Sequence, residues 1–380
     1  MRPGRLTCVV ILVWMIAAAA YAQPAALRIV SEGPDAPAGA HRFVVRSDRV
    51  GRDFVVVVSA PSGPFVQPGR KVAAIFALDG GYGVAGPIGQ LMTWSGTMSP
   101  AYVVSVGYPD GQAAGRDTDL LFRPTVRDGV TIGGGGAAFE AFLTADLRPF
   151  LEARYPLDPT KAVLFGHSYG GLFAANVLAQ TPSVFAGYII ASPSVVADPQ
   201  ALAGLAQAAS KGEGQRVYVA VGEREDVGMV DGVKRVAAIL AAPGSTFTVE
   251  SHVFAGESHI GYYPQLVPAA FAWILPPPAP PAATHRAIDL APAALERLAG
   301  VYAVGDGRTI TITVRQGKLY ALMTGSPEGE FRPETPLKFF TDAVPGFDIT
   351  LAFEAAAAGP PGAVVVSING AETRAVRMAR

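Results

Sequence analysis

The chain has 380 residues, half of them hydrophobic and only 16% charged, which is apolar material enough for one large core and a second smaller one. Its 30 lysines and arginines against 31 aspartates and glutamates leave a formal net charge of −1. That balance offers no basic field to hold nucleic acid or an anionic membrane surface.

At the N-terminus, Arg2 and Arg5 precede an almost wholly apolar run from Leu6 to Ala20, and Ala20-Tyr21-Ala22 has the small-x-small form of a cleavage site. Residues 1–22 are expected to be a secretion signal, with the mature chain starting near Gln23. The 15-residue run falls short of the roughly 20 that span a bilayer, so no stable membrane insertion is expected once the signal is cut. Cys8, the one cysteine, would leave with it, and no small-residue lipobox precedes it. The exported protein would then have no disulfide, no thiol nucleophile and no cysteine metal site. Arg2 and Arg5 leave too, so the mature balance becomes 28 basic against 31 acidic residues, a net −3. A periplasmic or extracellular location is expected.

Beyond the signal, Val- and Ile-rich runs ("DFVVVVSAP", "VAAIFALDGG", "AYVVSVGYP", "AVLFGHS", "VYVAVGE", "TFTVESHVF") alternate with longer helical stretches such as Phe139 to Tyr155 and Gly228 to Ala242. Strands buried on both faces and separated by helices predict an α/β sheet that is mostly parallel, with the segments before Ala74 forming an antiparallel edge. The glycine run Gly133 to Gly136 lacks the Lys-Ser/Thr ending of a phosphate loop and is expected to be a flexible loop. "PPPAPPAA", Pro276 to Ala283, lacks the amide donors of a ladder and predicts a semi-rigid spacer. The division expected is 23–275 catalytic, 276–284 linker and 285–380 a small all-β domain. Short strands are expected there at Thr309 to Val314, Lys318 to Thr324, Lys338 to Thr341, Phe347 to Phe353, Val364 to Ile368 and Thr373 to Met378. With turns such as Gln316-Gly317 and Asn369-Gly370, they predict a barrel or sandwich.

Within this frame, "LFGHSYGG" carries the chemistry. Lys161 to Phe165 has strand character and Leu172 to Gln180 helix character, so Gly166-His167-Ser168-Tyr169-Gly170 is G-x-S-x-G in the strand-turn-helix context that presents a serine hydroxyl at the carboxyl edge of a sheet. Ser168 is the candidate nucleophile, and Tyr169 N–H, the next amide, a candidate donor to the oxyanion. A serine needs a base. Of the five histidines, His259 in "FAGESHIGYYP" lies in a loop after the last strand and before a helix, where the base of such a fold belongs, whereas His252 within a strand is expected to be structural. "VYVAVGEREDVGMV" offers Glu223, Glu225 and Asp226 after a strand, and spacing alone does not choose among them. Tyr82, Trp94 and Tyr108 are candidates for an aromatic pocket.

The stretches "YPDG…RDTDLLFRPT", "GGAAFEAFLTADLRPFLEARYPLD", "LFGHSYGGLFAANVL", "ASPSV", "VAVGEREDVGM" and "FAGESHIGYYP" together resemble the esterase-D-like α/β-hydrolases, which include the trilactone-siderophore esterases. The match runs from about Arg42 to Leu275. The resemblance implies the α/β-hydrolase fold and ester hydrolysis without a cofactor or metal. It aligns Gly222-Glu223-Arg224-Glu225 with the family's G-x-x-E, making Glu225 the favoured acid, with Asp226 and then Glu223 behind it. It also places the second oxyanion donor at Gly81, after the Leu78-Asp79-Gly80 turn. Arg116, Asp119 and Arg123 match a polar stretch of the family, and Arg116 with Tyr82 are candidate substrate contacts; a loop salt bridge is the equal alternative for the arginine. The tail, "LERLAGVYAVGDGRTITITVRQGKLYALM", is similar to lipocalin-like domains that follow exported β-lactamase-like hydrolases. The expected function is an exported serine esterase acting on a small-molecule ester through an acyl-enzyme, siderophore-type esters among its candidate substrates. An acyltransferase or peptidase with the same triad, or an inactive binding protein on the same fold, are the alternatives.

Overall fold

The computed structural model describes residues 27–277 and 284–379, apart from positions 64, 68, 113, 114, 306, 345, 346 and 358. The expected signal 1–22 with Cys8, and residues 278–283 of the expected linker, lie outside the described residues.

Eleven strands precede residue 255. They are β1 (Arg28–Asp35), β2 (Ala40–Ser47), β3 (Arg52–Ser59), β4 (Val72–Ala77), β5 (Ala101–Gly107), β6 (Thr125–Arg127), β7 (Val130–Ile132), β8 (Leu157–His167), β9 (Gly187–Ala191), β10 (Arg216–Gly222) and β11 (Thr248–Phe254). Nine of them form one sheet in the order β1-β2-β3-β5-β4-β8-β9-β10-β11, while β6 and β7 make a separate hairpin. The first three strands are antiparallel and the remaining six run parallel, as expected of an α/β sheet with an antiparallel edge. In β4 and in the Ala162–His167 part of β8 almost every side chain is buried, because helices cover both faces. On one face Phe142, Leu147, Leu172, Leu205 and Val236 pack from four helical segments; on the other, Ala85, Met92, Leu266 and Phe271 pack from two. The edge strand β11 differs from the buried strand its apolar run predicts: most of its residues are exposed.

The sheet order reverses between β4 and β8. From β4 the chain moves outward to β5, then returns to add β8, β9, β10 and β11 on the other side. At such a switch point two adjacent loops diverge above the carboxyl ends of the strands and leave a crevice. Here those loops are the turn Asp79–Gly83 and the tight turn at Ser168, held side by side by Leu78 N–H donating to Phe165 O at 2.9 Å.

Two local readings change. The stretch expected to be one regular helix from Phe139 to Tyr155 is helical over Gly136–Ala141 and Arg148–Glu152, with a π-helical segment, Phe142–Leu147, between them. Gly133 to Gly136 is not a loose loop. Gly134 and Gly136 N–H both donate to Leu121 O and Gly135 N–H to Thr118 O, and a Cβ on Gly133 would sit 2.5 Å from Arg123 O. Small residues are needed there because two backbones cross.

After residue 284, eight strands, β12 (Gly300–Ala303), β13 (Thr309–Arg315), β14 (Lys318–Met323), β15 (Gly329–Pro333), β16 (Lys338–Thr341), β17 (Ile349–Phe353), β18 (Ala363–Ile368) and β19 (Ala371–Arg377), close into an antiparallel barrel. Pairing of β12 with β19 removes the free edge. The barrel has its own core around Tyr302, Phe339, Leu351 and Val364. It meets the sheet at the end away from Ser168: Phe347 packs on Phe65 with ring centroids 5.2 Å apart, and a cavity of about 440 Å³ between the two is lined by Lys71 and Val72 at the start of β4, by Met98 and Pro100 ahead of β5, and by Asn369 and Gly370 of the barrel.

Candidate active site

Ser168 follows β8 directly and caps the helix Tyr169–Gln180, with φ 59° and ψ −118°. Positive φ is costly for a residue with a Cβ, and it survives here because the neighbours enforce it. Ser168 N–H donates to Ala191 O at 3.0 Å, and a Cβ on Gly166 would lie 1.9 Å from Gly170 O, so only glycine lets strand and helix pass. The turn lifts Oγ to the crevice and leaves Tyr169 N–H in the first turn of the helix, where amides have no intrahelical acceptor. Ser168 Oγ has Ser194 Oγ 3.5 Å away.

The three carboxylates after β10 separate by environment. Glu225 is buried, its side chain 2% exposed, and its Oε2 accepts from His259 Nδ1 at 2.6 Å. Its Oε1 accepts from Ser192 Oγ at 2.6 Å and from Gly222 N–H at 2.8 Å. Burial works to raise the Glu225 carboxyl, but hydrogen bonds from His259, Ser192 and Gly222 overcome it and hold it below the usual carboxylate range. Glu223 instead accepts from Gly256 N–H at 2.7 Å, and Asp226 caps the helix Val227–Leu240 through Gly228 N–H at 2.8 Å. His259 lies against the elbow, its ring centroid 4.5 Å from that of His167, the residue before Ser168. Among the hydrogen bonds of the described residues none joins Ser168 to His259; such contacts commonly close only around bound substrate.

The turn after β4 is left-handed throughout, with positive φ from Asp79 to Gly83. Gly81 N–H donates to Leu78 O at 2.9 Å, so the amide expected to serve the oxyanion is already spent inside the turn. Arg116 forms a two-pronged ion pair with Asp79 (2.6 and 3.0 Å), the loop salt bridge rather than an open arginine. Asp119 pairs with Arg52 at 3.3 Å and Arg123 with Asp198 at 2.5 Å, so these three charged residues of that polar stretch are all held in ion pairs. Burial lifts the Asp119 carboxyl to about 6 despite Arg52 and the Tyr108 hydroxyl. Tyr82 does reach the site: its hydroxyl lies 3.1 Å from His167 Nδ1. With Tyr108 and Arg116 it lines a cavity of about 560 Å³. Trp94 lies elsewhere, lining a cavity with Phe65 and barrel residues, and takes no part in an aromatic pocket here. His252 stands exposed on the edge strand β11 against Phe254.

Sequence reasoning passed over Ser192, Ser194 and Tyr262. Ser192, at φ 40°, bonds Glu225 and also lies 2.5 Å from the Tyr262 hydroxyl. A signal existed in "ASPSV", which follows β9 just as "GHSYG" closes β8. Among the described residues no helix is long and apolar enough to cross a membrane.

Comparison with known proteins bears on this site. The family model described as "Putative esterase" matches residues 47–273, more than half of the chain. The chain is 30% identical over 257 residues to the ferri-bacillibactin esterase BesA of Bacillus subtilis, covering 60% of this chain and 87% of that protein. It is 39% identical over 99 residues to a siderophore triacetylfusarinine C esterase of Aspergillus fumigatus, a segment covering 24% of this chain and 33% of that one. The BES protein of Bacillus cereus has the same fold, at TM-score 0.57 and 23% identity over 65% of this chain and 98% of its own. With an α/β-hydrolase sheet, a strained serine turn at its switch point and a family match spanning both, the chain belongs to the esterase family and is a carboxylic ester hydrolase.

Proposed function

We propose that the chain is an exported serine esterase working through an acyl-enzyme. Ser168 Oγ attacks the ester carbonyl carbon while His259 Nε2 takes its proton. The tetrahedral intermediate collapses, the carbon–alkoxide bond breaks, and His259 returns the proton to the departing alcohol. Water then repeats the sequence on the acyl-Ser168 ester and frees the acid. Glu225 keeps Nδ1–H of His259 bonded, so that Nε2 carries the lone pair, and it stabilises the imidazolium when it forms. Tyr169 N–H stabilises the oxyanion.

The observation that carries this reading is the 2.6 Å contact between His259 Nδ1 and a 2% exposed carboxylate, beside a serine forced to φ 59°. A buried carboxylate bonded to Nδ1 would hold the imidazole in the tautomer that leaves Nε2 free to accept a proton. The names of the relatives support siderophore-type esters as the substrate class. The apolar N-terminal run ending in Ala20-Tyr21-Ala22 supports export.

The test is to incubate purified protein with a trilactone siderophore and with short aryl esters, following ring-opened acid and released phenol by mass spectrometry. Hydrolysis that disappears in Ser168→Ala supports the reading. Hydrolysis that survives in Ser168→Ala ends the mechanism, and turnover of aryl esters alone ends the siderophore assignment.

A further inference from the structure

We infer that His167 is a positioning residue: its imidazole ties the backbone of the base loop to the Asp79–Gly83 turn and thereby fixes where His259 stands relative to Ser168. The inference rests on the serine-esterase reading above.

Side chains alternate along a strand. In β8, Val163 and Phe165 belong to the core beneath the helix Tyr263–Ile274, so His167, two residues further on, points to that same face rather than toward the crevice with Ser168. It is 2% exposed and surrounded by Tyr82, Tyr262, Tyr263 and His259, with ring centroids 4.5 to 5.9 Å away. A polar ring in such a place must satisfy both nitrogens from the protein. Nε2 lies 2.7 Å from His259 O, and Nδ1 lies 3.1 Å from the Tyr82 hydroxyl.

Those partners leave one proton arrangement. A carbonyl oxygen only accepts, so Nε2 carries the hydrogen and donates to His259 O. A neutral imidazole has a single N–H, so Nδ1 accepts from the Tyr82 O–H. Burial, reinforced by the nearby His259, pushes the His167 pKa down to about 4, and burial with the charge of Asp79 pushes Tyr82 up to about 12, so both keep these states across the working range. Tyr82 belongs to the left-handed turn, His167 to the elbow strand and His259 to the base loop. One imidazole therefore joins the three segments on which the chemistry depends.

The tie matters because, among the described residues, His259 makes one other hydrogen bond, from its ring to Glu225. Its ring is 40% exposed, and its Nδ1 has Glu225. The rest of the loop is anchored on both sides of the base, through Gly256 N–H to Glu223 and Arg224 N–H to Glu257 O before it, and Gly261 N–H to Ser258 Oγ and Tyr263 N–H to Ile260 O around and after it. Without His167 the loop keeps those anchors while the base itself can drift, and a displacement near 1 Å at the reacting groups is enough to cost about 100-fold in rate.

The experiment compares wild type, His167→Leu and His167→Gln, with circular dichroism as a fold control and kcat and KM measured on a short nitrophenyl ester. Leucine fills much of the ring's volume with no donor; glutamine can reach the same carbonyl with its amide N–H. The expected result is a kcat about 100-fold lower in His167→Leu with KM little changed, and recovery to within about tenfold of wild type in His167→Gln. Retention of wild-type kcat in both variants overturns the inference. So does an equal loss in both, since packing rather than the carbonyl bond would then be at stake. Histidine ¹⁵N spectra of wild type provide a readout independent of turnover: a buried neutral imidazole in the Nε2–H tautomer is expected, and an Nδ1–H tautomer or an imidazolium near neutral pH overturns the clamp even if His167→Leu fails to fold. Wild type inactive on every ester would strike the esterase reading, while the tautomer spectrum would still decide the clamp.

Discussion

Replacing Glu225 with glutamine changes one atom and should disable the enzyme. Glu225 Oε1 accepts two hydrogen bonds, from Ser192 Oγ and Gly222 N–H, and Oε2 accepts the third, from His259 Nδ1. In Glu225→Gln the amide oxygen keeps the two bonds on the Oε1 side, which sets the amide NH2 against Nδ1. Two donors cannot face each other at 2.6 Å, so His259 moves its proton to Nε2, the nitrogen that must receive the Ser168 proton. Flipping the amide instead gives up the buried Gly222 bond and sets N–H against N–H there, since Ser192 can turn to accept but a backbone amide cannot, and the side chain is too buried for water to mediate. Loss of the correct tautomer costs on the order of 10³ to 10⁴ in kcat, about 4–5 kcal/mol of transition-state stabilisation. Glu223→Gln keeps an oxygen for Gly256 N–H, and Asp226→Asn keeps a good helix cap, so both should stay within about threefold of wild type. The assay is kcat/KM on a short nitrophenyl ester for all three variants, with melting curves to exclude unfolding. A Glu225→Gln enzyme within tenfold of wild type, or three equal losses, would refute the assignment.

Other consequences are open to measurement. Because the barrel meets the sheet away from Ser168, a chain ending at Pro277 should keep kcat/KM for small and bulky esters alike while melting earlier, through exposure of Phe65 and Trp94; a folded truncation that no longer hydrolyses esters would contradict this. Arg116→Ala leaves Asp79, 7% exposed, without its cation and should cost about 3–5 kcal/mol in stability; an unchanged melting temperature with a raised KM would return Arg116 to the substrate site. His285 stands between Glu334 (3.2 Å) and Asp348 (2.8 Å). Burial opposes its protonation, but the two carboxylates outweigh it and raise its pKa. The stabilisation is therefore complete below the unfolded value of about 6.5 and is lost as pH rises through the higher folded value, so the melting deficit of His285→Gln should be larger at about pH 6 than at about pH 9. A deficit independent of pH would show that the charge is not involved.

The parallel strands were legible because β-branched runs of six or seven residues bounded by glycine or proline have no good alternative to a buried strand. The short strand Gly187–Ala191 was missed: five residues carry too little pattern, and its place is fixed by β8 and β10 on either side. Gly300–Ala303 and Gly329–Pro333 were missed in the barrel for the same reason, since closure of the sheet rather than local preference makes them strands. Ser168 and His259 could be singled out because a sharp turn and a loop after the last strand leave local signatures. The acid could not be picked by spacing, because Glu223, Glu225 and Asp226 span four positions and differ only in which way the loop turns them. Burial is what separates them, and burial is a property of the assembled sheet. Hidden for the same reason was the Arg116–Asp79 pair, 37 positions apart in the chain.

Covalent trapping shows directly whether Ser168 is the activated nucleophile. A fluorophosphonate reacts with a serine only when a base draws off its proton and donors receive the oxyanion. Treating the protein with such a probe, digesting it and locating the added mass should give one adduct, on Ser168, that vanishes in Ser168→Ala and forms far more slowly in Glu225→Gln. An adduct on any other residue, or no adduct on a protein that still hydrolyses esters, would contradict the account.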